Sequence, residues 1–430
     1  MEESMGVREY ALHAKEAAII CGTLDDDTKN RAINAICDAL IAQSEKIENA
    51  NALDIELADK DGLAPALRSR LGFYGKKLTD TVEGARALAG LPDPCNRIIF
   101  QRDLADGLTL TKKSCGIGVI GVIFESRPDA LVQIAMLCIK SGNAAILKGG
   151  KEAHATNTAL AEIITEAGIE AGLPDGFLTL LTSREEINEL LSCDDCVDLL
   201  IPRGSGAFVK YIMDNTRIPV MGHADGVCHI YVDGSADMKK ATDIVVDSKT
   251  QYPAACNSVE TLLVDATAAQ TFLPEVTKAL RDKGVTLVGC PRTCAVIDCE
   301  QATEEDWSTE YVGLKLSVRI VDSVYEAVRH INKYGSGHTD CIVTQDNAVA
   351  DFFINNVDSA GVYKNCSTRF ADGYRYGFGA EVGISTGKLH ARGPVGIEGL
   401  VSYRYLLEGD GDIVADFASG KRKFIHQGEV

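Results

Sequence analysis

At 430 residues the chain is long enough to bury large cores and to fold as two or three domains. Its formal net charge of -19 excludes a general nucleic-acid role, because neutralising a phosphate backbone needs a basic surface. No stretch reaches the roughly 20 apolar residues that span a bilayer; the opening MEESMGVREY is acidic and lacks an apolar signal core, so a cytoplasmic protein without membrane contact is expected.

The first hundred residues read as helical. Asp27 to Ala58 carries Ala32, Ile33, Ile36, Leu40 and Ile47 close to a 3.6-residue period, and Pro92 and Pro94 close the region. From Gly116 the pattern alternates. Short apolar runs at Val119–Phe124, Ala144–Leu147, Phe177–Leu181 and Val197–Ile201 lie between helical stretches at Pro128–Lys140, Glu152–Glu170, Arg184–Leu191 and Gly206–Asn215. Ser183 with Glu186 makes a capping box. Apolar strands between helices predict a parallel sheet covered on both faces. After about Gly226 a second series begins, at His229–Val232, Glu260–Val264, Ala295–Asp298, Leu316–Val321 and Cys341–Thr344. Val401–Leu407 and the earlier Gly107–Lys112 alternate like strands outside a main sheet, which suits pairing between subunits. The basic, polar end from Gly420 reads as a frayed tail.

The 14 cysteines are scattered rather than spaced as a disulfide framework, and most are expected as small buried apolar residues. Cys193-Asp194-Asp195-Cys196 is the only CxxC; with no second pair at finger spacing, no metal is expected there. Gly116-Ile117-Gly118-Val119-Ile120-Gly121 matches GxGxxG on paper, but it runs into a strand, so no helix N-terminus meets a pyrophosphate. Gly383–Lys388 resembles a P-loop one residue short and is rejected as well.

Leu147-Lys148-Gly149-Gly150-Lys151-Glu152 places two lysines around a Gly-Gly turn between a strand and a helix. That suits a phosphate, and equally a solvated turn. Ile201-Pro202-Arg203-Gly204-Ser205-Gly206 repeats the arrangement at another strand end, and two such turns favour a dinucleotide. Tyr252-Pro253-Ala254-Ala255-Cys256-Asn257 sets a thiol in a tight turn; on pattern alone a buried inert cysteine is the stronger reading, a nucleophile the other. The Gly-rich segment Phe378–Gly399 holds Lys388, His390 and Arg392, and Asn365–Phe370 supplies polar groups suited to an amino acid.

Four separate stretches, GVIFESRPD (121–129), YPAACN with Glu260, YGSGHTDCIVT (334–344) and VGISTGKLHARGPVG (382–396), carry a resemblance that runs from about Ala14 to Glu408. The chain resembles the gamma-glutamyl phosphate reductase family of the aldehyde dehydrogenase superfamily. The resemblance implies an aldehyde-dehydrogenase-like α/β fold, with two doubly wound α/β domains and a β oligomerisation arm. The expected division is a cofactor-binding domain at 1–225, with 365–395 returning to it; a catalytic domain at 226–364 carrying Cys256; an arm at 396–417, with 102–115 contributing; and a tail at 418–430.

The implied reaction is reduction of L-glutamate 5-phosphate by NADPH to L-glutamate 5-semialdehyde, with release of phosphate and NADP, in proline biosynthesis. Cys256 matches the superfamily nucleophile, which forms a thioester. Lys148 matches the lysine on the adenine ribose, with Gly149 in its turn. Arg203, Gly204 and Ser205 match the segment around the pyrophosphate, and Glu310 the acid on the nicotinamide ribose. Lys151 stands where NAD-preferring members commonly carry an acid, which favours NADPH. Ser126 falls near the oxyanion-stabilising Asn, and the N–H groups of Cys256 and Asn257 are the substitute donors. Ser367 and Arg369 are expected at the α-carboxylate, and Arg127, His390 and Arg392 at the phosphate. The Glu that activates water in hydrolytic members falls at Gly222 or His223, so no such base is expected. A homo-oligomer, dimer or tetramer, and contact with a glutamate 5-kinase are the expected partners. The alternatives are a hydrolytic or coenzyme A-acylating aldehyde dehydrogenase, or an inactive binding module of the same fold.

Overall fold

The computed structural model describes residues 6–428, apart from Arg184 and Ala224. The helical stretch expected over Asp27–Ala58 is two helices, Asp26–Ala42 and Ser44–Lys60, because Gln43 leaves helical dihedrals (φ -104°, ψ 23°). Asp25 caps the first by accepting from the Thr28 N–H at 2.7 Å. Ala32, Ile33, Ile36, Leu40 and Ile47 are all fully buried, as their period demands. The helix predicted over Arg184–Leu191 spans Glu185–Leu190; Arg184 itself lies outside the described residues. Its capping box forms, with the Ser183 N–H on Glu186 Oε2 at 2.5 Å and the Glu186 N–H on Ser183 Oγ at 3.3 Å.

Strands β1 (Ile98–Ala105) and β2 (Leu108–Gly116) make an antiparallel hairpin. Strands β3 (Val119–Phe124), β4 (Ala144–Lys148), β5 (Leu178–Leu181) and β6 (Leu199–Arg203) form a parallel sheet in the order β5-β4-β3-β6. Every residue of β3 and β4 is buried, which is why both read as unbroken apolar runs. Helix Pro128–Lys140 connects them, with Pro128 at its first position and a buried terminal Lys140. The Lys140 ammonium donates to Asp26 Oδ1 (2.6 Å), Asn30 Oδ1 (2.7 Å) and Ala89 O (3.1 Å), tying the N-terminal helices to this layer.

A second sheet follows: β7 (Cys228–Val232), β8 (Val259–Asp265), β9 (Thr286–Gly289), β10 (Glu300–Gln301), β11 (Lys315–Val321), β12 (Thr339–Val343) and β13 (Gly361–Lys364). All are parallel, in the order β10-β9-β11-β8-β7-β12-β13. The strand expected at Ala295–Asp298 is not one. Pro291 starts a helical turn over Pro291–Cys294, and the Ala295 and Ile297 N–H groups bond back to Pro291 O and Thr293 O, so neither is left for a neighbouring strand. Strands β9 and β13 were not expected: β9 lacks a long apolar run, and β13 is a half-exposed edge.

Strands β14 (Gly383–Ser385) and β15 (Gly393–Val395) form a small hairpin, and β16 (Val401–Glu408) pairs with β2 from Val401 opposite Gly116 to Glu408 opposite Thr109. The tail is not frayed. Ile425 and Gln427 N–H groups donate to Leu104 O and Asp103 O, and Asp103 N–H returns to Gln427 O, because the outer edge of β1 offers unpaired backbone groups. The hairpin of β14 and β15 packs through Val382, Val395, Ile397 and Leu400 into the core that holds Ile120, Val122 and Ile201 of the four-stranded sheet. On these sheets and cores we propose the division at 225 and 364 described above, with β1, β2 and β16 as the arm.

Candidate active site

Cys256 sits in the turn between helix Met238–Thr250 and β8, at the amino end of the seven-stranded sheet. Strands β8, β7 and β12 are neighbours, so the turns that precede them converge. They bring together Cys256, His223 and Gly226, and His338. Gly226 fits against the thiol turn: a Cβ there would stand 2.2 Å from the Cys256 carbonyl oxygen, so only glycine lets the two turns meet. His338 follows Gly335-Ser336-Gly337, where Gly337 takes φ +70° and so aims the ring inward.

His338 is wholly buried, and its Nε2 lies 3.2 Å from Cys256 Sγ. Its Nδ1 meets Thr339 Oγ1 at 2.9 Å, which fixes the ring. The His223 ring lies edge-on to His338 with centroids 5.1 Å apart, and its Nδ1 faces the Ile384 carbonyl at 2.8 Å. Donor atoms of Cys256, His223 and His338 all lie within 4.8 Å of one another, and among the described residues no Asp or Glu joins that group. The sequence reading passed over both histidines as partners of the thiol. The signal was present in YGSGHTD, where a Gly-rich turn delivers a histidine to the start of an apolar strand.

The thiol turn is held from behind. Lys249 and Glu260, both fully buried, pair at 2.6 Å across the helix and the strand that flank it. Burial drives Glu260 up to about 8, with Lys249 opposing, and the same desolvation pulls Lys249 down. Glu310 approaches this pair closely enough to raise Glu260. Asn257 Nδ2 donates to Ala371 O at 2.8 Å, and Thr368 Oγ1 donates to the Asn257 backbone O at 2.7 Å, so Asn257 anchors the 368–371 segment through its side chain and its carbonyl. Among the described residues no protein acceptor takes the backbone N–H of Cys256 or Asn257. Ser126, at φ +45°, commits both its N–H (2.7 Å) and its hydroxyl (2.5 Å) to Glu152 Oε1 and is not turned to the thiol.

Arg369 is buried, donates through Nε to Gln251 Oε1 at 2.9 Å, and lies 5.8 Å from the Tyr252 ring centroid. Ser367 Oγ meets Ser248 Oγ at 3.0 Å and caps the turn that carries Arg369. Burial lowers the Arg369 guanidinium, and the charge of Cys256 opposes this. Arg203, at the carboxyl end of β6, is likewise lowered by burial and by Arg127, with Glu381 and Cys256 opposing. The charge of Cys256 thus acts on two guanidiniums, Arg203 at the end of β6 and Arg369 in the turn Thr368–Phe370. His390 is exposed, and Arg392 pairs with Asp358 (3.2 Å), as does Lys388 (2.7 Å).

The expected dinucleotide residues lie at the strand ends of the four-stranded sheet. Gly149 and Gly150 sit close to neighbouring side chains: a Cβ would stand 2.1 Å from the buried Asn157 Nδ2 at Gly149 and 2.1 Å from Glu152 Oε1 at Gly150. Lys148 is buried at the end of β4, lowered by desolvation, and reaches Gly149 O at 2.5 Å. Lys151 is exposed, and Ser205 caps helix Gly206–Asp214 by accepting from Phe208 N–H at 3.4 Å. The helix expected to offer its N-terminus to a phosphate does not: Asp54 already accepts from the Ala155 and Thr156 N–H groups at 3.0 and 2.8 Å.

Comparison with known proteins decides what this arrangement belongs to. Over 423 residues the chain is 53% identical to a gamma-glutamyl phosphate reductase of Ruminiclostridium cellulolyticum, covering 98% of each. The chain belongs to the gamma-glutamyl phosphate reductase family. Residues 75–287 match the model of the aldehyde dehydrogenase family. The crystal structure of the Thermotoga maritima gamma-glutamyl phosphate reductase superposes with a TM-score of 0.93 at 37% identity, over 95% of this chain and 100% of that one. An acetylating aldehyde dehydrogenase of Geobacillus thermoglucosidasius, 18% identical, shares the fold at a TM-score of 0.64 over 95% of this chain and 97% of its own. The fold is thus the aldehyde-dehydrogenase-like α/β architecture. Among the described residues no helix is long and apolar enough to cross a membrane.

Proposed function

We propose that the chain reduces L-glutamate 5-phosphate to L-glutamate 5-semialdehyde with NADPH, through a thioester on Cys256, as a step of proline biosynthesis. The observation that carries this is the 3.2 Å contact of His338 Nε2 with the Cys256 thiol in a member of this family. His338 takes the thiol proton, and the thiolate attacks the acyl carbon and expels phosphate. The N–H groups of Cys256 and Asn257 stabilise the oxyanion. Bound NADPH supplies the hydride that reduces the thioester carbon. The hemithioacetal then collapses, and His338 returns the proton to sulfur. Arg369 and Ser367 hold the substrate's α-carboxylate, and Arg127 beside Arg203 meets the departing phosphate. Lys148, Gly149, Lys151, Arg203, Gly204 and Ser205 hold the dinucleotide, with Glu310 at its nicotinamide ribose. The edge of β16 supports a homo-oligomer joined through the arm.

The test runs the reaction backwards, with glutamate semialdehyde, NADP and phosphate, following absorbance of the reduced nicotinamide. Turnover that requires phosphate supports the reductase. Turnover in phosphate-free buffer yielding glutamate, or dependent on coenzyme A, overturns it in favour of a hydrolytic or an acylating enzyme.

A further inference from the structure

The geometry points to a second use of the thiol site: Cys256, His338 and His223 form a three-donor site for a thiophilic divalent ion, Zn2+, which blocks the nucleophile. Thiolate and imidazole are the donors zinc prefers, and three protein ligands with one open position is a common zinc arrangement. Cys256 Sγ and His338 Nε2 stand 3.2 Å apart, and the donors of all three residues lie within 4.8 Å. Zinc–sulfur and zinc–nitrogen bonds of about 2.3 and 2.0 Å place such donors about 3.5 Å apart in a tetrahedron.

The outer shell is in place as well. Each histidine has its Nδ1 occupied, His338 on Thr339 Oγ1 at 2.9 Å and His223 on the Ile384 carbonyl at 2.8 Å. That leaves Nε2 of both rings for the ion, the arrangement by which metal-binding histidines are oriented. The three donors come from turns that already converge for packing reasons, so binding requires no rearrangement of the sheets. Arg203 and Arg369 place positive charge nearby, so the site binds zinc more weakly than a closed four-ligand site, and reversibly. No contiguous motif marks the site, because its ligands are scattered over 223–338.

The experiment uses the whole purified protein without substrate, so its outcome is independent of the reductase reading. Alkylation of Cys256 by iodoacetamide is timed by peptide mass spectrometry, with and without added Zn2+. Zinc is expected to slow labelling of Cys256 at least tenfold and EDTA to restore it, while labelling of Cys290 is unchanged. In parallel, Co2+ should give a thiolate-to-cobalt charge-transfer band that Cys256→Ser removes. His223→Gln, which alters a half-exposed residue, should weaken Zn2+ protection about tenfold or more, and His338→Gln should do the same. Unchanged labelling in the presence of Zn2+ overturns the proposal, as does protection that survives His223→Gln at full strength.

Discussion

Gly226 lies directly against Cys256: a Cβ on Gly226 would stand 2.2 Å from the Cys256 carbonyl oxygen and 2.6 Å from its Cα. Such a contact admits no side chain without moving one backbone. The turn before β7 and the turn before β8 are therefore fixed relative to each other at the atom that carries the chemistry. Gly226→Ala is expected to push the thiol turn away from His338 and lower kcat by about a hundredfold, since a displacement near 1 Å costs that much. Steady-state kinetics beside circular dichroism check this. Unchanged turnover in a folded variant would show that the turn tolerates the shift.

The buried pair behind that turn makes a separate prediction, about stability. Glu260→Ala leaves the Lys249 ammonium buried and unpaired, and is expected to cost about 3–5 kcal/mol. Replacing both, as Lys249→Met with Glu260→Leu, should cost far less, because no uncompensated charge remains. Urea midpoints of the three proteins decide it. Equal loss for the single and the double variant would mean that packing, not charge, is what the pair supplies.

Cofactor choice turns on Lys151. Its neighbour Glu152 is not its partner: the Glu152 carboxylate is committed to Ser126, leaving Lys151 exposed at the mouth of the Gly149–Gly150 turn. Lys151→Glu is expected to weaken NADPH about tenfold, one charge contact's worth, and to spare NADH. Fluorescence titration of both cofactors measures it; an equal loss for the two would remove Lys151 from the 2′-phosphate.

Arg369 tests the substrate end. It is buried against Gln251 and Tyr252 and its side chain takes no carboxylate partner among the described residues, a position that suits an anionic group of the substrate rather than a structural salt bridge. Arg369→Ala is expected to raise KM for glutamate semialdehyde about tenfold or more, with KM for NADP nearly unchanged. A fall in thermal stability with both KM values intact would make it a structural residue.

How much of this was legible in the sequence follows from range. The strands β3 and β4 read correctly because burial on both faces leaves an unbroken apolar run, β7, β8 and β12 did so through shorter apolar runs beside buried polar residues such as His229, Glu260 and Asp340, and Pro128 marks its helix start. Strand β13 did not, because an edge strand carries no such run, and Ala295–Asp298 misled because its apolar residues lie in the turn that follows Pro291, where only Ile297 is buried. The tail misled for a related reason: its polarity is real, but the β1 edge captures its backbone. At the site, Cys256 was visible as a turn. Its partners were not, since His338 lies 82 positions away and only the adjacency of β7, β8 and β12 brings it within 3.2 Å. The Asp54 cap that closes the helix after the Gly-Gly turn is equally nonlocal, 101 positions from Ala155.

The final prediction concerns water. No Glu is expected where hydrolytic members keep their base, and no carboxylate shares the cluster of Cys256, His223 and His338 among the described residues. His223 does stand there, with Nδ1 held on the Ile384 carbonyl and its ring edge-on to His338. A histidine is a competent base near neutral pH, so the absence of a Glu alone does not protect the thioester. The second histidine is not expected to promote hydrolysis either, because its Nδ1 rests on a carbonyl, and no carboxylate shares its cluster among the described residues to hold it as a base. Oxidation of the semialdehyde is therefore expected to depend strictly on phosphate, or on arsenate in its place. His223→Ala should leave that dependence intact rather than abolish a hydrolytic background. The measurement is the rate of NADPH formation in phosphate-free buffer, for the natural chain and for His223→Ala. A rate above a few per cent of the phosphate-driven one in the natural chain, lost in His223→Ala, would make His223 a water-activating base and the enzyme a hydrolytic aldehyde dehydrogenase.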